Sequence, residues 1–257
     1  MRRTPRKGQK LPPVPAAQQR PATDGGIRRR RAGRPSSAVL DKAGITSAAL
    51  ELVGRKGYDG LTMAALAKLL EVAPSALYNH VSSKQDVLLL VEDHLMSLVD
   101  VSSFGAAPWD EAVRTWAWSY RNVFAEHTPL IPVIAVLPVT DAPQTLAMYE
   151  TVSKGFLDAG FPQERIISAI VALESFIFGS AYDVTAPEDI FDPGTMAEST
   201  PYFTAAVRGS AGAALRGHPQ APEGSGTATG PLRAADAAFA LGLDALVSGL
   251  GGLRKAD

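Results

Sequence analysis

The sequence contains no cysteine. That absence excludes a disulfide framework, thiolate metal sites and cysteine nucleophiles, and it fits a reducing compartment. Long apolar runs are missing too. None reaches the ~18–20 residues needed to span a bilayer, and the strongest, Leu130 to Val139, is interrupted by Pro132 and Pro138. No apolar stretch follows the paired arginines near the start, so no secretory or twin-arginine leader is expected. Alternating Val/Ile/Thr patterns are absent, which argues against a sheet. Catalytic signatures are equally scarce. The four histidines, His80, His94, His127 and His218, lack HExxH spacing. There is no Gly-rich phosphate loop and no Gly-x-Ser-x-Gly elbow. The expectation is a soluble, cytoplasmic non-enzyme with no metal, no cofactor and no membrane partner.

What is present is an apolar fraction of 46% in 257 residues, enough for one large domain or two modest ones with a real core. The net charge of −1 conceals a division. Residues 1–35 hold eleven basic residues and one acid, Asp24, a net of +10; the remaining 222 hold 14 bases and 25 acids, a net of −11. A basic arm on an acidic body implies a polyanion partner engaged through the arm. Residues 1–38, rich in Pro, Gly, Gln and Arg, read as a disordered arm. Residues 209–230 read as a mobile loop between helices.

Everything else has helical period. Asp41 is placed to N-cap a first helix, with Leu40 stapling to Ile45 and Ile45, Ala48, Ala49, Leu52 and Val53 as its buried stripe. Gly57 ends it. Thr62 caps a short second helix with Met63, Leu66, Ala67 and Leu70 inward. Pro74 opens a third that turns Leu77 and Val81 inward. Ser83 and Asp86 form a capping box for a longer fourth helix with Leu88, Val91, Leu95 and Leu98 on one side. Two short helices joined by a tight turn and braced by a third suit a helix-turn-helix, whose second helix fits the ~12 Å major groove.

Residues 40–91 carry Gly57-Tyr58, Leu61-Thr62-Met63, Leu66-Ala67 and Ala76-Leu77-Tyr78-Asn79-His80-Val81 followed by Lys84. This segment resembles the N-terminal DNA-binding domain of the TetR/AcrR family of bacterial transcriptional regulators. Residues 109–185 and the ending Phe239 to Leu250 resemble the ligand-binding and dimerisation half of the tetracycline-repressor branch. Two positions depart from the family pattern: Glu71 stands where Gly is usual, and Ala73 where a capping Ser is usual. The resemblance implies an all-α protein with a three-helix DNA-binding domain over 39–84 and a helical ligand-binding and dimerisation domain over 85–257. Its function would be that of a ligand-responsive repressor released from operator DNA by a small molecule. The alternative is a non-specific architectural nucleic-acid-binding protein driven by the arm.

On the third helix Ser75, Ala76, Tyr78, Asn79 and His80 are left outside. Asn79 can bond an adenine edge in bidentate fashion, the Ala76 methyl can meet a thymine methyl, and Ser75 can bond a base or a phosphate. The resemblance assigns phosphate contacts to Thr62, Tyr78 and Lys84. For Tyr78 and His80, packing against a neighbouring helix is the competing reading. In the arm, Arg31 and Arg34 flank an AT-hook-like Gly33-Arg34-Pro35 that suits an A·T-rich minor groove, against a merely solvated charge run. Trp116, Tyr120, Phe124, Met148, Phe178 and Tyr182, with Trp118 and Phe176 beside them, are candidates for an effector cavity, and His127, Glu174 and Asp183 for its polar groups. For each aromatic the competing reading is ordinary core. His127 matches a metal-ligand position of the tetracycline repressors, but Asp100 replaces another such histidine, so a metal-dependent effector is disfavoured. A homodimer is expected through the stripe Ile166, Ile170, Leu173 and Ile177 paired with Phe239, Leu243, Leu246 and Leu250.

Overall fold

The computed structural model describes residues 40–187, 189–214 and 234–254; the basic arm, with Arg31 and Arg34, and residues 215–230 of the expected loop lie outside them. Among the described residues every regular element is helical. The helices are α1 (Lys42–Lys56), α2 (Met63–Leu69), α3 (Pro74–Tyr78), α4 (Lys84–Ser97), α5 (Trp109–Ala125), α6 (Ile131–Ile134), α7 (Pro143–Asp158), α8 (Gln163–Asp183), α9 (Pro201–Ala214) and α10 (Ala234–Gly251). The all-α expectation is met.

Local chemistry sets the helix ends in the first half. Asp41 accepts the Gly44 N–H at 2.8 Å, and Thr62 accepts that of Ala65 at 3.1 Å. The Ser83 hydroxyl oxygen accepts the Asp86 N–H, while the Asp86 carboxylate accepts from both the Ser82 N–H and the Ser83 hydroxyl. These bonds hold the Asp86 carboxyl below the usual carboxylate range, the Ser82 N–H contributing most. Gly57, at φ 69°, ends α1 by returning its N–H to the Val53 carbonyl.

The expected stripe of α1 is the one buried, as are Leu66, Ala67, Leu77 and Val81. Each buried Leu, Ile or Val among them contributes about 1.5–3 kcal/mol, and each Ala less. In α4 the stripe is Val87, Leu88, Val91, Leu95 and Met96; Leu98, expected inside, is 53% exposed because the helix ends at Ser97. α4 packs on α1 below and on α7 above, so one helix belongs to both halves.

Three expectations are corrected. Residues 209–214, expected in a loop, continue α9; their two glycines lower helix stability without forbidding it, and their three alanines favour the helix. Asn79 and His80, expected on the third helix, follow its end: α3 stops at Tyr78 and Asn79 is its C-cap.

The third concerns the interface stripe. Ile166, Ile170, Leu173 and Ile177 of α8 and Phe239 and Leu243 of α10 are each at most 3% exposed within the single chain. Leu246 and Leu250 are partly buried against the same core. α8 spends this face on α5 and α10 of its own subunit. A different stripe faces outward: Ile167 (65% exposed) and Val171 (53%) with Ala172 and Gly179 on α8, and Leu241 (72%) with Ala238 and Ala245 on α10. Both helices are long and apolar enough, by length and composition, to cross a membrane. Here that apolarity serves an inward and an outward face.

Candidate DNA interface and effector core

The first site is the surface of α2, α3 and the turn between them. Glu71 takes the left-handed conformation, φ 55°, that the turn requires, a conformation a glycine would adopt at less cost. Ala73 supplies no side-chain cap, and Pro74 at N1 starts α3 instead. Leu77 is fully buried and anchors α3. Thr62, Ser75, Tyr78, Asn79 and His80 are exposed and Ala76 is half-buried. Tyr78 and His80 therefore do not pack into the domain. Lys84 is anchored beside this surface with one of its three N–H donors engaged. Its ammonium donates to the Tyr58 carbonyl at 3.2 Å and sits 3.6 Å from the centroid of the Tyr58 ring. This fixes the lysine beside the start of α4.

The second site lies in the aromatic core of α4, α5, α7 and α8. Trp116, Tyr120 and Phe124 recur at i, i+4 and i+8 on α5 and are fully buried. Their rings run in sequence: Trp116 to Tyr120 at 5.6 Å, Tyr120 to Phe124 at 5.2 Å, and Phe178 of α8 against both at 5.5 and 5.1 Å. Met148 is buried on α7. Trp118 and Phe176 belong elsewhere: both contact Phe239 of α10, Trp118 edge to face at 4.7 Å and Phe176 stacked at 5.3 Å. There Arg121 is buried, pairs with Asp236 at 2.8 Å and lies over the Phe239 ring. Tyr182 and Asp183 are exposed on the outer side of α8 and do not join the core. His127 is half-buried at the chain turn before α6, and burial pulls its pKa down.

Polar groups converge among these rings. The Tyr149 hydroxyl of α7 donates to Glu174 Oε1 at 2.7 Å, and the Tyr120 hydroxyl donates to the same oxygen at 3.2 Å. Burial raises the Glu174 pKa despite both phenols, which favour its charged form. Glu92, only 3% exposed, faces them from α4, and its Oε2 accepts no hydrogen bond. Desolvation, with the neighbouring charges of Asp93 and Glu174, pushes its pKa up to about 7. The Trp116 indole N–H is likewise buried without an acceptor. Among the described residues, neither carboxylate has a cationic partner.

Sequence reasoning identified Glu174 and the rings but missed Glu92 and Tyr149. The signal for Glu92 was present: Leu88, Glu92 and Leu95 fall at i, i+4 and i+7 on the buried face of α4. Tyr149, next to the buried Met148, had no comparable mark.

Residues 45–91 match the family described as bacterial regulatory proteins, tetR family, and residues 104–253 match the tetracyclin repressor-like C-terminal domain. The chain belongs to the tetR family of bacterial regulatory proteins. The tetracycline repressor protein class G of Vibrio anguillarum is 27% identical over 226 residues, covering 84% of this chain and 96% of that protein. An HTH-type transcriptional regulator of Saccharopolyspora erythraea is 30% identical over 142 residues, covering 55% of this chain and 60% of the relative, so under two-thirds of that relative's length is matched. The apo structure of ActR from Streptomyces coelicolor shares the fold, with a TM-score of 0.65, 24% identity and coverage of 84% of this chain and 97% of that one. ActR has also been solved with (S)-DNPA and with actinorhodin.

Proposed function

We propose that this regulator acts as a cytoplasmic homodimeric repressor, released from operator DNA when a small molecule enters the core formed by α4, α5, α7 and α8. The observation that carries the reading is the position of α4. Its first turn is fixed by Lys84 to Tyr58 beside the DNA-reading turn, and its middle presents Glu92 to the effector core. A ligand that binds one setting of α4 better than another shifts DNA affinity by the difference in its two affinities. ActR, which shares the fold, has been solved in complex with (S)-DNPA and with actinorhodin, which supports a small-molecule effector for this chain. Base readout falls to Asn79 with Ser75 and Ala76, and phosphate contacts to Thr62, Tyr78 and Lys84, with His80 exposed on the same DNA-facing surface. The outward stripes of α8 and α10 supply a self-complementary four-helix contact between two copies. DNA-binding over 39–84 and effector binding over 85–257 remain the working division, with α4 common to both. A purely architectural role would leave the buried polar cluster without a use.

The test begins with DNA fragments that the purified protein selects from a genomic library. On the selected operator, Asn79→Ala should lose about 1–3 kcal/mol and relax preference at one position per half-site. Lys84→Ala should weaken all sequences nearly equally. Equal binding of every base variant by wild type and Asn79→Ala would remove the base-readout assignment. Operator that no small-molecule fraction of the host's medium or cytosol releases would remove the effector reading.

A further inference from the structure

The geometry points to an organic cation as the effector class: a flat, positively charged amine held by the carboxylates of Glu92 and Glu174 among the rings of Trp116, Tyr120 and Phe178. This rests on the effector-release reading above and specifies the chemistry of that core.

Four helices each contribute one member of the polar cluster: Glu92 from α4, Tyr120 from α5, Tyr149 from α7 and Glu174 from α8. The charges that act on Glu92 are all of one sign, from Asp93 on its own helix and Glu174 across the core. The two phenols face the same group and stay neutral, their own pKa values raised by burial and by Glu174. Two carboxylates in a desolvated site repel each other, so the pair is compatible only with proton uptake or with a cation. Glu174 already accepts two phenol hydrogens, whereas Glu92 Oε2 has an unused acceptor. That oxygen is where an ammonium N–H would bond.

The surroundings select the kind of cation. Ring faces attract an organic cation and cover its apolar body, with the gain larger where water is excluded. A metal ion needs more oxygen or nitrogen ligands than two carboxylates, one of them already engaged, and among the described residues no group of three His, Asp or Glu side chains is placed to hold one. An anion would add a third negative charge to the site. Glu174, Tyr149 and Phe178 keep partial exposure beside the fully buried Trp116 and Tyr120.

The probe pair is proflavine, a flat aromatic cation, and acridine, which has the same ring skeleton and is neutral at about pH 8. Both are titrated into the full-length protein without DNA, followed by calorimetry and Trp fluorescence. Proflavine should bind at least about tenfold more tightly than acridine. Glu92→Gln and Glu174→Gln should each weaken proflavine by about tenfold or more and leave acridine unchanged. In the wild-type chain, proflavine affinity should rise roughly tenfold from about pH 6 to about pH 8 as Glu92 loses its proton. That profile should flatten in Glu92→Gln, and it needs no variant to be informative in the wild type.

Equal binding of the two dyes, a flat wild-type profile, or no binding of either would overturn the proposal. So would carboxylate-dependent binding of Mg²⁺ alone. Release of operator by a neutral molecule, with acridine matching proflavine, would keep the effector reading and discard only the cation. Failure of the effector reading shows instead as operator that nothing releases.

Discussion

Asp93 and Thr145 are joined across two helices: Asp93 Oδ1 on α4 accepts the Thr145 backbone N–H at 3.0 Å and its hydroxyl at 3.4 Å. The Gln144 N–H donates to the same oxygen at 2.7 Å. The residue that precedes α7, Ala142, has no side chain to cap it, so a carboxylate from α4 does so from a distance. Glu92, one residue earlier, is buried in the aromatic core that holds Glu174. Adjacent residues of one helix thus tie α4 to α7 and place a carboxylate in the buried polar cluster.

Removing that remote cap has a defined cost. Asp93→Ala should destabilise the protein by about 1–2 kcal/mol, lowering Tm by roughly 3–6 °C. Asp93→Asn, which keeps an acceptor oxygen, should lose less. Thermal unfolding followed by circular dichroism measures both, and an unchanged Tm in Asp93→Ala would leave the three hydrogen bonds to Asp93 without energetic weight.

The dimer contact is tested at the outward stripe. Ile167→Arg combined with Leu241→Arg places charges at positions that are exposed in the single chain, so each subunit should stay folded. If these faces pair, the double variant buries unmatched charge at the contact and should sediment as a monomer with weakened operator binding. Ile170→Arg with Leu243→Arg would instead enter the subunit's own core and unfold it. A folded dimer of the Ile167→Arg, Leu241→Arg protein would move the contact elsewhere.

These two cases mark what the sequence could and could not convey. The caps Asp41, Thr62 and Ser83 and the stripe of α1 depend on residues within one or two turns, and local periodicity displays them fully. The Asp93 cap joins residues 51 and 52 positions apart, and no local pattern announces it. α8 and α10 misled for another reason: both sides of each helix are apolar. The strongest stripe, Ile166 to Ile177, reads from the sequence as a partner contact, although the chain's own α5 and α10 take it and leave Ile167, Val171 and Leu241, with small residues between, to face outward. The end of α3 at Tyr78 was hidden because nothing in Asn79-His80 forbids another turn. Glu92 was legible by its spacing, but a lone acid among leucines on a helix is more often solvated than buried.

The buried carboxylate predicts a pH dependence of stability. The Glu92 pKa is raised in the folded chain from an ordinary glutamate value to about 7. Between those values the folded state holds more protons than the unfolded state, so stability falls as pH rises through that window and is lowest above it. Glu174, shifted in the same direction, adds to the slope. Glu92→Gln removes its share: it should be more stable than wild type above about pH 7, by up to about 3 kcal/mol, and nearly equal to it at about pH 5. Urea unfolding across the pH range tests this, and parallel curves for the two proteins would mean that Glu92 is solvated.

The arginine arm should add operator affinity through the minor groove without setting the major-groove code. The argument is the charge division: eleven basic residues and one acid in residues 1–35, ahead of a body with a net charge of −11. Such a body repels DNA at long range, so the basic arm supplies most of the attraction. Removing residues 1–34 deletes all eleven positive charges, though only those reaching phosphate or groove count. With about four arginines engaged, the slope of log affinity against log salt should become shallower by roughly 3–4 units per subunit. Half-site preference should survive, because Ser75, Ala76 and Asn79 are untouched. The Gly33-Arg34-Pro35 core adds a sequence component, since a narrow A·T-rich groove concentrates the negative potential that arginines enter. Binding of the truncated and full chains would therefore be compared across a salt series, on an operator with A·T flanks and on one with G·C flanks. The loss on truncation should be larger with A·T flanks. An equal loss on both would keep the electrostatic role and remove the groove contact, and an unchanged slope on both would reduce the arm to a solvated tail.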